Sequence, residues 1–130
     1  MKVIALGGAG AMGRLAVKDL AASEQVDDLV IADYNLGEAE SLARELGGKC
    51  VARKVDANDH DELVEAVRGY DVALGAIGPF YKYEAAMGRA CIEAGTDYVS
   101  ICDDYDAAEE ILELDGEAKK AGITAITGLG

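Results

Sequence analysis

Short apolar runs rich in valine and isoleucine alternate along the chain with stretches whose apolar residues return every three or four positions. The runs are Val3 to Leu6, Leu29 to Ala32, Cys50 to Val55, Val72 to Ile77, Tyr98 to Cys102 and Ile123 to Ile126. Nearly continuous hydrophobicity over so few residues predicts strands covered on both faces. Between them, Ala39, Leu42, Ala43 and Leu46 make one helical face, and Leu63, Ala66 and Val67 make another. Asn35 with Glu38, and Asp59 with Glu62, place a capping acceptor three residues ahead of an acid and mark where these helices begin. A further helix is expected from about Tyr83 to Ala94, burying Ala86, Met87, Ala90, Cys91 and Ala94 and ending at Gly95 in a left-handed cap. Gly88 sits awkwardly inside it, because glycine is a poor helix former. Strand and helix in alternation imply βαβ units, hence a doubly wound α/β domain with a parallel sheet of about six strands and helices on both faces.

A length of 130 residues suits one domain, and no repeat, linker or low-complexity stretch divides it. The chain stops at Thr127-Gly128-Leu129-Gly130, directly after the last expected strand, so it reads as part of a longer protein. Twelve basic residues against twenty-five acidic ones leave a formal charge of −13, which argues against nucleic acid or an anionic membrane as a partner. No apolar run is long enough to cross a bilayer and the first residues read as a strand rather than a signal peptide, so a cytoplasmic location is expected. Cys50, Cys91 and Cys102 are odd in number and lack the paired spacing of a zinc site. They read as small core residues, with neither a metal nor a disulfide expected.

The first strand runs into Gly7-Gly8-Ala9-Gly10-Ala11-Met12-Gly13, where Gly8, Gly10 and Gly13 satisfy G-x-G-x-x-G at the opening of a helix. In this reading Gly8 permits the tight turn, Gly10 lets the backbone approach a pyrophosphate, and Gly13 lets the helix pack closely on the sheet. The N–H groups of Ala11 and Met12 then face the phosphates, assisted by the positive end of the helix. A glycine turn alone also serves as a plain strand-to-helix connection. Here Asp33 ends the second strand twenty residues after Gly13, where an acid binds the hydroxyls of the adenosine ribose. The two signals together indicate a Rossmann-type domain that binds a dinucleotide. A carboxylate at Asp33 repels a 2′-phosphate, and Tyr34 and Asn35 follow it instead of an arginine, which favours NAD over NADP. Arg14, in the first helical turn, reads either as an exposed helix residue or as a group within reach of a phosphate. Ligands of such folds lie across the carboxyl ends of the strands, so Asp56 and Ala57 are expected beside the adenine, and Ile77, Gly78 and Pro79 nearer the nicotinamide. Asp56 equally suits a helix cap or a turn.

Candidates for chemistry are few. His60 stands between Asp59 and Asp61 in a first helical turn, a solvated position away from the nicotinamide end. Tyr81 and Lys82 are adjacent, so the Tyr-x-x-x-Lys pair of short-chain dehydrogenases is missing although Gly7, Gly10 and Gly13 fit that group's glycine pattern. Asp103, Asp104 and Asp106 follow the fifth strand and would either hold a substrate cation or a proton, or start a helix. No catalytic residue is assigned.

Several segments together resemble the N-terminal domain of the saccharopine dehydrogenase family: Val3 to Gly10, Ile31-Ala32-Asp33 with the helix Ala39 to Leu46, Gly78-Pro79-Phe80, and Ala90 to Val99. Two positions depart from that pattern, Asp97 where the family often has His and Ser100 where it often has Asp, and they leave the substrate open. The resemblance implies an NAD(P)-dependent dehydrogenase acting on the CH–NH bond of an imine or secondary amine made from an amino acid, the substrate being held by a second domain. It also admits a homodimer. The 130 residues alone are then expected to bind cofactor and to turn nothing over. A regulatory nucleotide-sensing module of the potassium-transport type shares the glycine turn and the acid, and is the alternative. An isomerase or epimerase retaining bound NAD is a third reading.

Overall fold

A computed structural model of the protein describes all residues from 1 to 130. The chain runs β1 (Lys2–Leu6), α1 (Ala11–Ala22), β2 (Asp28–Asp33), α2 (Leu36–Leu46), β3 (Cys50–Lys54), α3 (His60–Val67), β4 (Val72–Gly75), α4 (Phe80–Ala94), β5 (Asp97–Ser100), α5 (Tyr105–Leu112), α6 (Asp115–Ala121) and β6 (Ala125–Ile126). One six-stranded sheet has the order β3-β2-β1-β4-β5-β6, with every neighbouring pair parallel. The chain winds outward from β1 to β3 and then returns to the other side of β1. Leu6 is therefore flanked by Ala32 of β2 and Gly75 of β4, and the carboxyl ends of these strands part at a crevice.

Alternate residues of the strands feed two cores. Val3, Ala5, Leu29 and Ile31 pack with Val17, Ala39 and Leu42 under α1 and α2. Ile4, Leu6, Val30, Ala32, Ala73 and Tyr98 face the other layer, where Leu63, Val67, Met87 and Cys91 of α3 and α4 meet them. Burying each large aliphatic side chain contributes about 1.5–3 kcal/mol, so the inner strands are the most strongly held part of the fold. The outer strands differ from expectation. β6 is exposed along its length and Val51 of β3 is 60% exposed, so full cover on both faces holds only for the inner strands.

The caps behave as the sequence indicates. Asn35 accepts from Glu38 N and Asp59 from Glu62 N, each at 3.1 Å. Helix α4 ends at Gly95 with φ 75°, its N–H reaching Cys91 O and Ile92 O. It starts three residues before the expected Tyr83, because Tyr81 and Lys82 in its first turn are exposed and carry no apolar period. Gly88 is explained by packing: a Cβ there would lie 2.7 Å from Ile111 Cδ1, so the missing side chain lets α5 approach α4. Helices α5 and α6 fill the β5–β6 crossover, and Asp104 caps α5 by accepting from Ala107 N. No helix is long and apolar enough to cross a membrane.

Candidate nucleotide-binding site

The β1–α1 turn is built by glycines, with a different division of labour from the one the motif implies. Gly7 carries the left-handed conformation, φ 79°, and a Cβ on it would stand 2.7 Å from Ala76 O. Gly8 has an ordinary φ. A Cβ on it would press Val17 Cγ2 and Ile31 Cγ2 at 3.1 Å each, so Gly8 serves packing and the tight turn belongs to Gly7. Gly13 is required because a Cβ would collide with the carbonyl oxygen of Gly7. The glycine therefore seats α1 against the turn rather than against the sheet. Gly10 is the N-cap of α1, and its carbonyl accepts the first helical bond from Arg14 N at 2.9 Å. The N–H groups of Ala11, Met12 and Gly13 precede that bond and have no partner within the helix. No acidic side chain stands in this first turn, which leaves it suited to an anion.

Beside the turn lies a cleft of about 450 Å³. It brings together Gly10, Asp33, Asp56, Ala57, Ile77 and Gly78 of the expected residues, and adds Gly7, Tyr34, Asn58 and Tyr83. Of the other expected contacts, Gly8 and Gly13 are buried behind the turn, and Ala11 and Met12 are exposed outside the lining. Pro79 is the N-cap of α4 and also lies outside it. Tyr34 and Tyr83 escaped the sequence reading because an aromatic near a strand end or in a first helical turn carries no motif.

Asp33 is held in place before any ligand arrives. Its Oδ2 accepts from Ala9 N at 3.1 Å and its Oδ1 from Asn35 N at 3.0 Å. Each carboxylate oxygen retains a second lone pair, so ribose hydroxyls still find acceptors there. Asp56 combines both roles proposed for it: Oδ1 accepts from Asn58 N at 2.9 Å and forms a turn, and the residue lines the cleft.

Directly after Tyr83, α4 contributes to a buried polar cluster that the sequence did not announce and whose members do not line the cleft. Glu84 of α4 is completely buried and accepts from the hydroxyls of Tyr98 and Ser100 on β5 and from Thr127 Oγ1 at 3.0 Å. Ser100 Oγ in turn accepts from Cys102 N at 2.9 Å. Burial pushes the Tyr98 phenol well above its ordinary value, and the Glu84 carboxylate adds to this. Burial likewise raises the Cys102 thiol to about 11. Gly75 belongs to the same arrangement, since a Cβ on it would collide with the Tyr98 hydroxyl. His60 reaches Glu93 Oε2 at 2.6 Å on the surface, joining α3 to α4 away from the cleft. Asp103, Asp104 and Asp106 do not line the cleft; Asp104 caps α5, Asp106 lies in its first turn, and Asp103 is exposed.

With this geometry in hand, comparison with known proteins is direct. A lipid droplet localized protein of Caenorhabditis elegans is 28% identical over 140 residues, covering 98% of this chain and 32% of the relative. A glutamyl-tRNA reductase of Methanocaldococcus jannaschii is 30% identical over 116 residues, covering 87% of this chain and 26% of the relative. The chain thus spans a third or less of these curated relatives. Among solved structures, apo saccharopine dehydrogenase (L-Glu forming) from Saccharomyces cerevisiae superposes with a TM-score of 0.81 at 27% identity, over 99% of this chain and 27% of that one. Residues 3–126 match the family described as saccharopine dehydrogenase NADP binding domain. That description overturns the ranking of NAD above NADP drawn from Asp33; NADP is the favoured cofactor. Beside Asp33, Arg14 Nη2 donates to Ala9 O at 3.2 Å, so a guanidinium stands next to the residue that Asp33 itself binds. A Rossmann-type sheet, a glycine turn with open N–H groups and a match across nearly the whole chain agree, and the protein belongs to the saccharopine dehydrogenase NADP-binding domain family, an oxidoreductase family.

Proposed function

We propose that this domain holds an NADP-type dinucleotide with its pyrophosphate on the N-terminus of α1, its adenosine ribose at Asp33 and its nicotinamide toward Ile77 and Gly78. The observation that carries the reading is the cleft itself, which joins the Gly7–Gly10 turn to Asp33 on one side and to Ile77 and Gly78 on the other. In the longer protein, the dinucleotide would exchange a hydride at nicotinamide C4 with the CH–NH carbon of an amino-acid-derived imine or secondary amine. The residues described here bind and orient the cofactor. The groups that hold substrate belong, in this proposal, to a further domain. Similarity to a dehydrogenase family supports this over the nucleotide-sensing module of potassium transporters. A cytoplasmic location suits the three free cysteines.

Calorimetric titration of the 130-residue protein with NADPH and with NADH tests the reading. Binding of NADPH, tighter than NADH, is expected, without dehydrogenase turnover of saccharopine. Asp33→Ala is expected to weaken NADH by about tenfold, because two hydroxyl acceptors disappear. Binding of neither nucleotide would overturn the assignment.

A further inference from the structure

Resting on that dinucleotide reading, we propose that Arg14 and Lys54 form the seat of the cofactor's 2′-phosphate, and that Glu38 sets how strongly the domain prefers a phosphorylated ribose. Tyr34 and Asn35, not an arginine, stand directly after Asp33, so the cation that an NADP-type ligand needs must come from elsewhere. The fold supplies two. Arg14 leaves α1 one residue after the last glycine of the turn, and its Nη2 reaches both Ala9 O and Glu38 Oε2 at 3.2 Å. Ala9 N donates to Asp33 Oδ2, so one residue links the guanidinium to the ribose-binding carboxylate. From the other side, Lys54 ends β3 directly opposite Asp33 in the sheet register. Its Nζ lies 4.9 Å from the centroid of the Tyr34 ring, and Tyr34 lines the cleft. Neither cation lines the cleft itself; the guanidinium is joined to Asp33 through Ala9, and the ammonium to the cleft through the Tyr34 ring.

The charges also explain how Asp33 tolerates a phosphate. A lone carboxylate repels a 2′-phosphate, whereas a carboxylate with a cation on each side presents a mixed field in which the phosphate pairs with Arg14 in the bidentate manner guanidinium favours. Glu38 competes for the same guanidinium. Arg14 is 34% exposed and Glu38 57% exposed, so their pair is open to solvent and can be exchanged for a ligand oxyanion at little cost. Each 2′-phosphate that binds must displace Glu38 from the Arg14 fork or share it. The carboxylate thus reduces the preference for NADPH without touching the binding of NADH.

The test is titration of the 130-residue protein and its Arg14→Gln, Lys54→Gln and Glu38→Gln variants with NADPH, NADH and 2′,5′-ADP, with thermal melts confirming that each variant folds. Arg14→Gln should weaken NADPH and 2′,5′-ADP by about tenfold or more and leave NADH within about twofold; Lys54→Gln should act in the same direction by several-fold. Glu38→Gln should tighten NADPH by about threefold and leave NADH unchanged. If Arg14→Gln weakens NADPH and NADH alike, Arg14 merely supports the turn through Ala9 O and the seat is wrong. If the NADPH to NADH ratio stays constant across all three variants, the proposal fails while dinucleotide binding stands. If the unaltered protein binds neither nucleotide, the functional reading itself fails and this inference falls with it.

Discussion

The β1–α1 and β4–β6 sides of the sheet are built on opposite principles. On the β1–α1 side the polar groups are left open: the first backbone N–H groups of α1 have no helical partner, and the Asp33 carboxylate keeps lone pairs free after binding Ala9 N and Asn35 N. On the β4–β6 side the polar groups are side chains, and they close on one another. Glu84 collects hydroxyls from Tyr98, Ser100 and Thr127, and no buried side-chain nitrogen or oxygen in the molecule is without a partner. The first side is organised to receive a ligand. The second is organised as a rigid floor that ties α4 to β5 and to the segment after β6.

If this division holds, lesions on the two sides should separate stability from binding. The largest effect is expected from Glu84→Ala, which strands the buried hydroxyls of Tyr98 and Ser100 and the half-buried one of Thr127, and removes the tie between α4 and β5. A loss of about 3 kcal/mol or more in urea-induced unfolding is expected, with the conservative Glu84→Gln costing less. A nearly neutral Glu84→Ala would show that the cluster is not what holds this side together.

Next comes Gly13→Ala, whose Cβ meets the Gly7 carbonyl oxygen and forces α1 away from the turn. Stability should fall by about 1–3 kcal/mol, and NADPH affinity by more than tenfold, because the open N–H groups move off their aim. Retained affinity would mean that the turn is less tightly specified than its backbone contacts indicate. A smaller loss, about 1 kcal/mol, is expected for Gly88→Ala. The clash is with the end of a flexible side chain, Ile111 Cδ1, and alanine's better helix propensity offsets part of it. Nucleotide affinity should be unchanged, since this contact lies in the α4–α5 layer.

The mildest test reads the cysteines. Burial pushes Cys91 to about 12 and Cys102 to about 11, and the reactive species is the thiolate, so both should resist iodoacetamide at pH 8. Cys50, half-exposed at the edge of the sheet, should label first, and labelling of the other two should accelerate only as the pH rises toward those values. Rapid modification of Cys102 at neutral pH would indicate that the floor opens in solution.

Legibility followed the same division. The strand and helix alternation, the caps at Asn35 and Asp59, the left-handed end of α4 at Gly95 and the placement of Asp33 were all readable, because each depends on residues within one or two turns of each other. Gly10, Asp33, Asp56, Ala57, Ile77 and Gly78 do meet in one cleft. The assignment of the tight turn to Gly8 failed because two glycine motifs overlap in Gly7 to Gly13, and only backbone geometry shows which residue carries positive φ. The preference for NAD failed for a related reason. The rule was applied to the residues after Asp33, whereas the cations of the proposed seat, Arg14 and Lys54, stand on α1 and β3.

The sequence alone therefore determined the kind of fold and the location of its glycine turn, since hydrophobic period and obligatory glycines are local demands of the backbone. Tertiary structure decided which side chains share a neighbourhood. Glu84 comes from α4, Tyr98 and Ser100 from β5 and Thr127 from the segment after β6, while Arg14, Asp33 and Lys54 stand on α1, β2 and β3, and the spacing between these elements does not reveal the meeting. Long-range packing aligns strands that are distant in sequence, and it is this alignment, rather than any motif, that sets the charges and hydrogen bonds of the site.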